Sequence, residues 1–216
     1  MSGYAFPLAG AALVARPTGA LHWPDAGLLC VADLHLGKSQ RLARRGGTLL
    51  PPYETSETLA RLDADLTATG AARVICLGDS FDDLAAEAEL DETHRMWLLR
   101  LMAGRDWVWI AGNHDPGPLA IGGSHRAQWQ QGPLTFRHIA EPRAMAEVSA
   151  HFHPKWRLAG RTRPCFITDG SRLILPAYGT YTGGLSADDP ALRALFGPVA
   201  RAILTGTRAL PVPLSP

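Results

Sequence analysis

Residues 74–83 read V-I-C-L-G-D-S-F-D-D, an apolar run that ends on a glycine and is followed by three carboxylates. Four consecutive apolar residues bounded by a turn glycine are typical of a strand buried on both faces. The same order recurs upstream in residues 28–35, LLCVADLH, and downstream in residues 107–115, WVWIAGNHD. Three buried strands, each followed at once by polar residues, predict the centre of an α/β sheet.

Helical patterns lie between these strands. Apolar residues recur at three- and four-residue spacing within residues 59–66, and a second apolar stripe occupies residues 97–102. Gly70 and Gly104 stand where the two helices would stop. The first half of the chain therefore alternates strand and helix, which favours a sheet with helical cover.

The second half of the chain has shorter apolar segments with turns between them. They predict strands at residues 133–138, 145–150, 164–168 and 172–176, a helix near 188–197 and a strand near 200–204. No repeat or linker divides the chain. We therefore expect one domain over residues 1–210 and a short C-terminal tail over residues 211–216.

Composition limits the class of protein. The 216 residues are 46% apolar and 19% charged, as in a globular domain. Lysine and arginine total 21 and aspartate and glutamate total 20, which argues against a strongly basic nucleic-acid binder but allows a local basic groove. Three scattered cysteines suit a reducing compartment, and no apolar stretch approaches the roughly 18 residues of a spanning helix. We expect a cytoplasmic protein without membrane contact.

Polar residues follow each of the three central strands directly. Asp33 and His35 follow the first, Asp79 the second, and residues 112–115 the third. Ligands of open α/β sheets bind beyond the carboxyl ends of the strands, so these side chains are expected to converge. Carboxylate, imidazole and amide ligands without thiolate suit Mn, Fe or Zn. Each motif taken alone is more often a turn or a hydrogen-bonded loop.

Two metal ions fit this donor set. A single carboxylate such as Asp79 can bridge two cations about 3.5–4 Å apart, which together can grip a phosphate. His114, beside Asn113, could act as the general acid, and Asp115 is expected to orient its ring.

The order of these motifs resembles that of the calcineurin-like metallophosphoesterase superfamily. The family pattern D-x-H, GD-x-x-D, GNH-D/E, a lone histidine and G-H-x-H is matched by residues 33–35, 78–82, 112–115, His138 and residues 150–153. Ala150 stands where the family has glycine. His125 remains an alternative to His138 as the lone histidine.

This resemblance implies a four-layer α-β-β-α sandwich, with two mixed sheets flanked by helices, and two divalent cations, preferably Mn²⁺. One metal would take Asp33, His35, Asp79 and His153, and the other Asp79, Asn113, His138 and His151. Asp82 would orient ligands or water, while Asp83 could share that role or be surface charge.

The flanking segments carry a narrower resemblance, to the bacterial ligase-associated DNA damage-response endonuclease group. They are residues 31–38, 153–154, 164–166, 175–179 and 182–184, and the likeness spans roughly residues 10–205. It implies a manganese-dependent hydrolase acting as a DNA phosphodiesterase in repair. It also implies functional association with an ATP-dependent ligase, a nuclease and a helicase.

Basic residues follow two of the metal motifs. Lys38, Arg41, Arg44 and Arg45 come after the first, and Lys155, Arg157, Arg161 and Arg163 after the last. They could hold phosphates beside the scissile one, although basic runs are usually solvated faces. Tyr178 and Tyr181 could stack on bases of a single strand, although such tyrosines more often pack internally.

Three functions are consistent with these features. The favoured one is an endonuclease that cuts single-stranded or flapped DNA. The alternatives are a small-molecule phosphodiesterase or pyrophosphate hydrolase, and a non-catalytic protein that keeps the fold as a binding surface. The metal motifs alone do not separate the first two.

Overall fold

A computed structural model describes residues 2–47 and 50–214, in which two β-sheets pack face to face. The first sheet contains β1 Tyr4–Leu8, β2 Ala11–Ala15, β3 Leu21–Trp23, β4 Leu28–Val31, β5 Arg73–Leu77, β6 Asp106–Ile110 and β7 Ser124–Arg126. These strands lie side by side in chain order. Strands β1 to β4 are antiparallel, whereas β4 to β7 are parallel.

The second sheet is built from the C-terminal half. It contains β8 Gln128–Gln131, β9 Leu134–Arg137, β10 Glu147–Ser149, β12 Arg161–Thr168, β13 Arg172–Ile174, β14 Arg201–Leu204 and β15 Leu210–Pro213, with β11 Lys155–Leu158 attached as a hairpin to β12. The parallel pairs β9–β10 and β10–β13 make this sheet mixed as well.

Helices cover the outer faces. They are α1 Lys38–Arg44, α2 Glu54–Thr69, α3 Leu84–Ala88, α4 Glu92–Met102 and α5 Pro190–Arg193, and a 3-10 turn spans Pro24–Ala26. The predicted stop of α2 is confirmed, since Gly70 has the left-handed φ of 61° that a helix C-cap favours. The predicted helix near 188–197 is shorter and covers only Pro190–Arg193.

The main core lies between the sheets. Cys30 and Ile75 of the first sheet pack with Phe136, Val148 and Phe166 of the second, all fully buried. The outer face of the first sheet packs on leucines of α2 and α4, and the outer face of the second is covered by α5 and irregular segments. The predicted sandwich of two mixed sheets flanked by helices in a single domain is therefore confirmed.

The C-terminal segment differs from the tail that we expected at residues 211–216. Residues 211–213 belong to β15, which pairs with β14 at the sheet edge, and Leu214 is buried. Pro211 and Pro213 led to the wrong expectation because proline cannot donate a ladder hydrogen bond. An edge strand tolerates proline where the missing N–H would face outward. Residues 215 and 216 lie outside the described residues.

Candidate metal centre

The loops after β4 and β5 run alongside each other at the carboxyl edge of the first sheet. Asp33 N–H donates to the Gly78 carbonyl at 3.1 Å, and His35 N–H donates to the Asp79 carbonyl at 2.9 Å. Val31 is paired with Cys76, and Leu77 with Ile110, so the three central strands end at nearly the same level. This register brings the three polar motifs to one edge, as the sequence predicted.

Five of the expected ligand residues have left-handed backbone. The φ values are 50° at Asp33, 45° at His35, 47° at Asp79, 71° at His151 and 48° at His153. This region is uncommon for residues other than glycine, and such outliers cluster at functional sites. Half of the ten described non-glycine residues with positive φ are therefore expected ligands.

The side chains form three overlapping groups whose candidate ligand atoms lie within 4.8 Å of one another. The groups are Asp33 with His35 and His153, His35 with Asp79 and His114, and Asp79 with His138 and His151. His35 links the first group to the second, and Asp79 links the second to the third. The described residues therefore offer a continuous donor set that could hold metal ions.

Individual distances show how closely the donor atoms approach. His153 Nε2 lies 3.1 Å from Asp33 Oδ1, and His138 Nε2 lies 3.4 Å from Asp79 Oδ2. Although burial would raise it, the hydrogen bond and charge of His138 hold the pKa of Asp79 well below its ordinary value. The carboxylate is thus ready to bind a cation.

Several of these donor atoms are buried and unsatisfied. Among residues 2–47 and 50–214, Asp33 Oδ1, His35 Nε2 and His153 Nε2 form no hydrogen bond, although Asp33 Oδ1 and His153 Nε2 lie 3.1 Å apart. Buried polar atoms are almost always hydrogen-bonded. Unsatisfied donor atoms that face one point are therefore consistent with a binding site for a metal ion. Mixed oxygen and nitrogen donors suit Mn, Fe or Zn.

His138 takes the place expected for the lone histidine. Its Nδ1–H donates to the Leu77 carbonyl at 2.9 Å, which leaves Nε2 facing Asn113 Oδ1 at 3.1 Å. Burial lowers the pKa of His138, but the negative charges of Asp79 and Asp33 outweigh it and raise the pKa overall. The alternative, His125, accepts a hydrogen bond from Leu119 N–H at 3.2 Å and belongs to none of the three groups.

Asp82 contacts His35, one of the expected ligands, and belongs to none of the three donor groups. One carboxylate oxygen lies 2.8 Å from His35 Nδ1, and the other accepts from Arg41 Nε. Burial would raise the pKa of Asp82, but His35, Arg41 and Lys38 lower it to about 2. This is the geometry expected of a residue that orients His35.

Asp115 does not contact the His114 ring, contrary to our expectation. Its carboxylate accepts from the backbone N–H groups of Asp79, Ser80, Phe81 and Gly112 at 2.7–3.2 Å. His114 Nδ1–H instead donates to the Asp82 carbonyl at 2.8 Å. The turn after β5 exposes consecutive N–H groups that need an acceptor, and Asp115 supplies it. Burial raises the pKa of Asp115 to about 6 despite those bonds.

Two glycines that support the site were missed as functional residues. A Cβ at Gly179 would collide with the Leu34 carbonyl, and one at Gly184 with the His153 carbonyl. Only glycine permits this close backbone approach. The clue in the sequence was the glycine-rich segment 179–184. Ala150, by contrast, is not among the described residues with positive φ, so its methyl group fits without backbone strain.

The basic residues after the first motif are largely paired with acids. Lys38 Nζ lies 3.8 Å from Asp82 Oδ1, and Arg41 also binds Asp82. Arg44 bonds to Asp83 at 2.9 Å and to Glu89, while Arg45 is exposed. The expected phosphate-binding cluster on α1 is therefore largely neutralised by the segment that follows β5.

The basic residues after the last motif are in a different environment. Lys155 Nζ donates to the Thr182 carbonyl at 2.8 Å, and Arg163 donates to the Thr205 carbonyl. Arg157 and Arg161 are exposed. In the part of the chain that the structure describes, none of these four lies within ion-pair distance of a carboxylate.

The two candidate stacking residues also differ. Tyr178 is 1% exposed and donates its hydroxyl to Asp65 Oδ2 at 2.9 Å, so it is a packing residue. Tyr181 is 40% exposed.

The cysteines play no part in the donor set. Burial raises the pKa of all three thiols, that of Cys165 to about 12, so they stay protonated.

Comparison with known proteins places this geometry in context. The chain is similar to the crystal structure of Pseudomonas putida nuclease MPE, with a TM-score of 0.79 and 29% sequence identity. The match covers 98% of this chain and 100% of that one. No protein-family model matches, and no curated protein does. None of the helices in the described ranges has the length and apolar content that crossing a membrane requires. The chain thus shares its fold, over nearly its whole length, with a nuclease.

Proposed function

We propose that this protein is a metal-dependent nuclease that hydrolyses phosphodiester bonds in DNA, preferably single-stranded or flapped. The observation that carries the proposal is the continuous donor set linked by His35 and Asp79. Its place in a chain that matches a nuclease along 98% of its length supports the substrate class.

The residues divide between two cations. Asp33, His35, Asp79 and His153 would hold one, and Asp79, Asn113, His138 and His151 the other. Two of the three observed groups are subsets of these assignments, which supports the division. When bound, such cations supply Lewis-acid polarisation of the phosphate and activation of the attacking water.

His114 is suited to proton donation. Its Nδ1–H is held by the Asp82 carbonyl, so the imidazolium form of the ring can give its Nε2 proton to the leaving oxygen and return to the neutral Nδ1–H form. The ring is half-buried beside His35, with ring centroids 5.0 Å apart, and the neighbouring Asn113 is exposed. His114 is therefore next to the donor set and accessible to substrate.

One observation favours the second candidate, a small-molecule phosphodiesterase. Lys38, Arg41 and Arg44 are paired with acids, so three of the eight basic residues that a DNA strand could contact are neutralised. The exposed Arg157 and Arg161 still support binding of DNA.

For the nuclease we further propose Mn²⁺ as the metal, a role in repair with ligase, nuclease and helicase partners, and a cytoplasmic location. These proposals rest on the resemblance in the flanking segments.

A substrate panel with added Mn²⁺ tests the proposal. It compares single-stranded DNA, duplex DNA, RNA, an aryl phosphodiester and an aryl phosphomonoester, with the Asp79→Ala protein as the blank for contaminating nucleases. We expect single-stranded DNA to be cut fastest, and chelation to stop the reaction. Turnover of the aryl phosphodiester without any DNA cleavage would favour the second candidate.

A further inference from the structure

We propose that Tyr181 is a stacking platform that binds a nucleobase beside the scissile phosphate. This inference rests on the proposed nuclease function and names a specific contact for its substrate. Aromatic side chains bind single strands in this way without sequence preference, because every base has a π-face.

The segment that carries Tyr181, residues 179–184, is anchored to both metal-ligand loops. At one end Gly179 N–H donates to the Asp33 carbonyl at 3.0 Å, and at the other Leu185 N–H donates to the Phe152 carbonyl at 3.1 Å. Gly179 and Gly184 allow the backbones to touch. The tip of the segment is therefore fixed relative to the site.

Tyr181 lies close to these anchors. It is two residues from Gly179, a separation of at most about 7 Å along an extended chain. Thr180 N–H donates to Thr58 Oγ1 of α2 at 3.3 Å, which further holds the segment in place. A side chain presented on such a rigid segment loses little entropy when a ligand binds.

Neither full burial nor backbone preference explains a tyrosine at this position. The side chain is 40% exposed, and the residue has a φ of 60°, a conformation that suits glycine or asparagine. Tyr178, three residues earlier, shows the structural alternative, since it is buried and bonded to Asp65. A strained and exposed aromatic residue beside the ligand loops indicates a binding role.

The local charge suits a nucleotide. Lys155 donates to the carbonyl of Thr182, the residue that follows Tyr181, and it has no carboxylate partner within the described ranges. An ammonium group bonded to the backbone of the residue after an exposed tyrosine offers a contact for a phosphate, while the ring offers one for its base. The pair would hold the strand on the side of the site that carries His151 and His153.

The test uses two variants and two substrates. Tyr181→Gly removes the ring and suits the backbone, while Tyr181→Phe is the matched control that keeps the ring. Each is assayed with Mn²⁺ on a single-stranded oligonucleotide and on the same strand with abasic tetrahydrofuran residues across the cleaved segment. The readout is the ratio of KM values for the two strands, which is independent of the fraction of active protein.

We expect Tyr181→Gly to raise KM for the base-bearing strand by roughly 5- to 100-fold, the effect of losing one base stack. KM for the abasic strand should change less than about twofold, and Tyr181→Phe should resemble the parent on both. An equal change on both strands would mean a structural role and overturn the inference. If the parent cut neither strand, the nuclease function itself would fail.

Discussion

Two basic segments follow candidate metal-ligand motifs in this molecule, and their environments are opposite. Helix α1 follows Asp33 and His35, and its cations face Asp82, Asp83 and Glu89. The β11–β12 hairpin follows His153, and among residues 2–47 and 50–214 its cations have carbonyl partners or are exposed, without a carboxylate at ion-pair distance. The two segments have similar charge in sequence but differ in the charge that they present to a substrate.

The difference comes from residues distant in sequence. The acids that neutralise α1 lie about forty positions away, on the loop after β5 and on α3, which packs against α1. The charge of a basic segment in the sequence therefore does not show whether the segment binds a substrate. The residues that pack against it must also be known. We infer that α1 supports the donor set through Asp82, whereas the hairpin is available to phosphates.

The largest effect should come from Asp79, which belongs to two of the three donor groups between the segments' motifs. Asp79→Ala should abolish turnover and metal binding, a loss beyond the roughly 10- to 100-fold of an outer-shell change. Metal content and hydrolysis of an aryl phosphodiester measure this. Asp188→Asn, an exposed aspartate, is the control and should behave as the parent. Full activity in Asp79→Ala would refute the two-metal site.

Arg41→Met tests the structural role of α1. It leaves the buried Asp82 without its guanidinium partner, which should cost about 1–3 kcal/mol of unfolding free energy. Turnover should fall roughly 10- to 100-fold on DNA and on an aryl phosphodiester alike, because the orientation of His35 changes. Urea denaturation and paired rate measurements test this.

Arg45→Met is the matched control for α1, since Arg45 is exposed and has no acidic partner in the described residues. Its stability should stay within about 0.5 kcal/mol of the parent. A selective loss on DNA in Arg41→Met, with the small substrate spared, would instead make Arg41 a phosphate contact.

The hairpin should give a smaller and selective effect. Arg157→Ala combined with Arg161→Ala should raise KM for single-stranded DNA several-fold and leave the aryl phosphodiester unchanged. The slope of log affinity against log salt should fall by about 1.4, since each single-strand phosphate contact contributes about 0.7. An unchanged slope would show that the hairpin does not contact the strand.

The smallest effect should appear in the acid stability of the chelated protein. The pKa of Asp82, about 2 in the folded chain, lies below its ordinary 3.8. The group therefore contributes stability above pH 3.8 that is lost as pH falls towards 2. Arg41→Met should raise this pKa, so the stability gap between parent and variant should be widest at pH 5 and narrow at pH 2.5. A gap independent of pH would contradict the pairing.

The sequence predicted the sheet and the convergence of its polar motifs because both depend on local order. Asp33, His35 and Asp79 come directly after buried strands, so the direction of the strands alone predicts that these residues lie at the carboxyl edge of the sheet. The partners of Arg41 and Asp115 depend on packing between segments distant in sequence, which no short pattern encodes. The edge strand β15 was missed because Pro211 and Pro213 suppress the strand signal.

The left-handed backbone at five ligand positions has a consequence for protein engineering. Each such residue costs on the order of 1–2 kcal/mol relative to glycine, whereas the total unfolding free energy of a domain is only about 5–15 kcal/mol. A redesign guided by thermostability alone would replace these five residues along with the other left-handed positions and erase the donor set. Heat-resistant versions should therefore be sought with the five positions held constant.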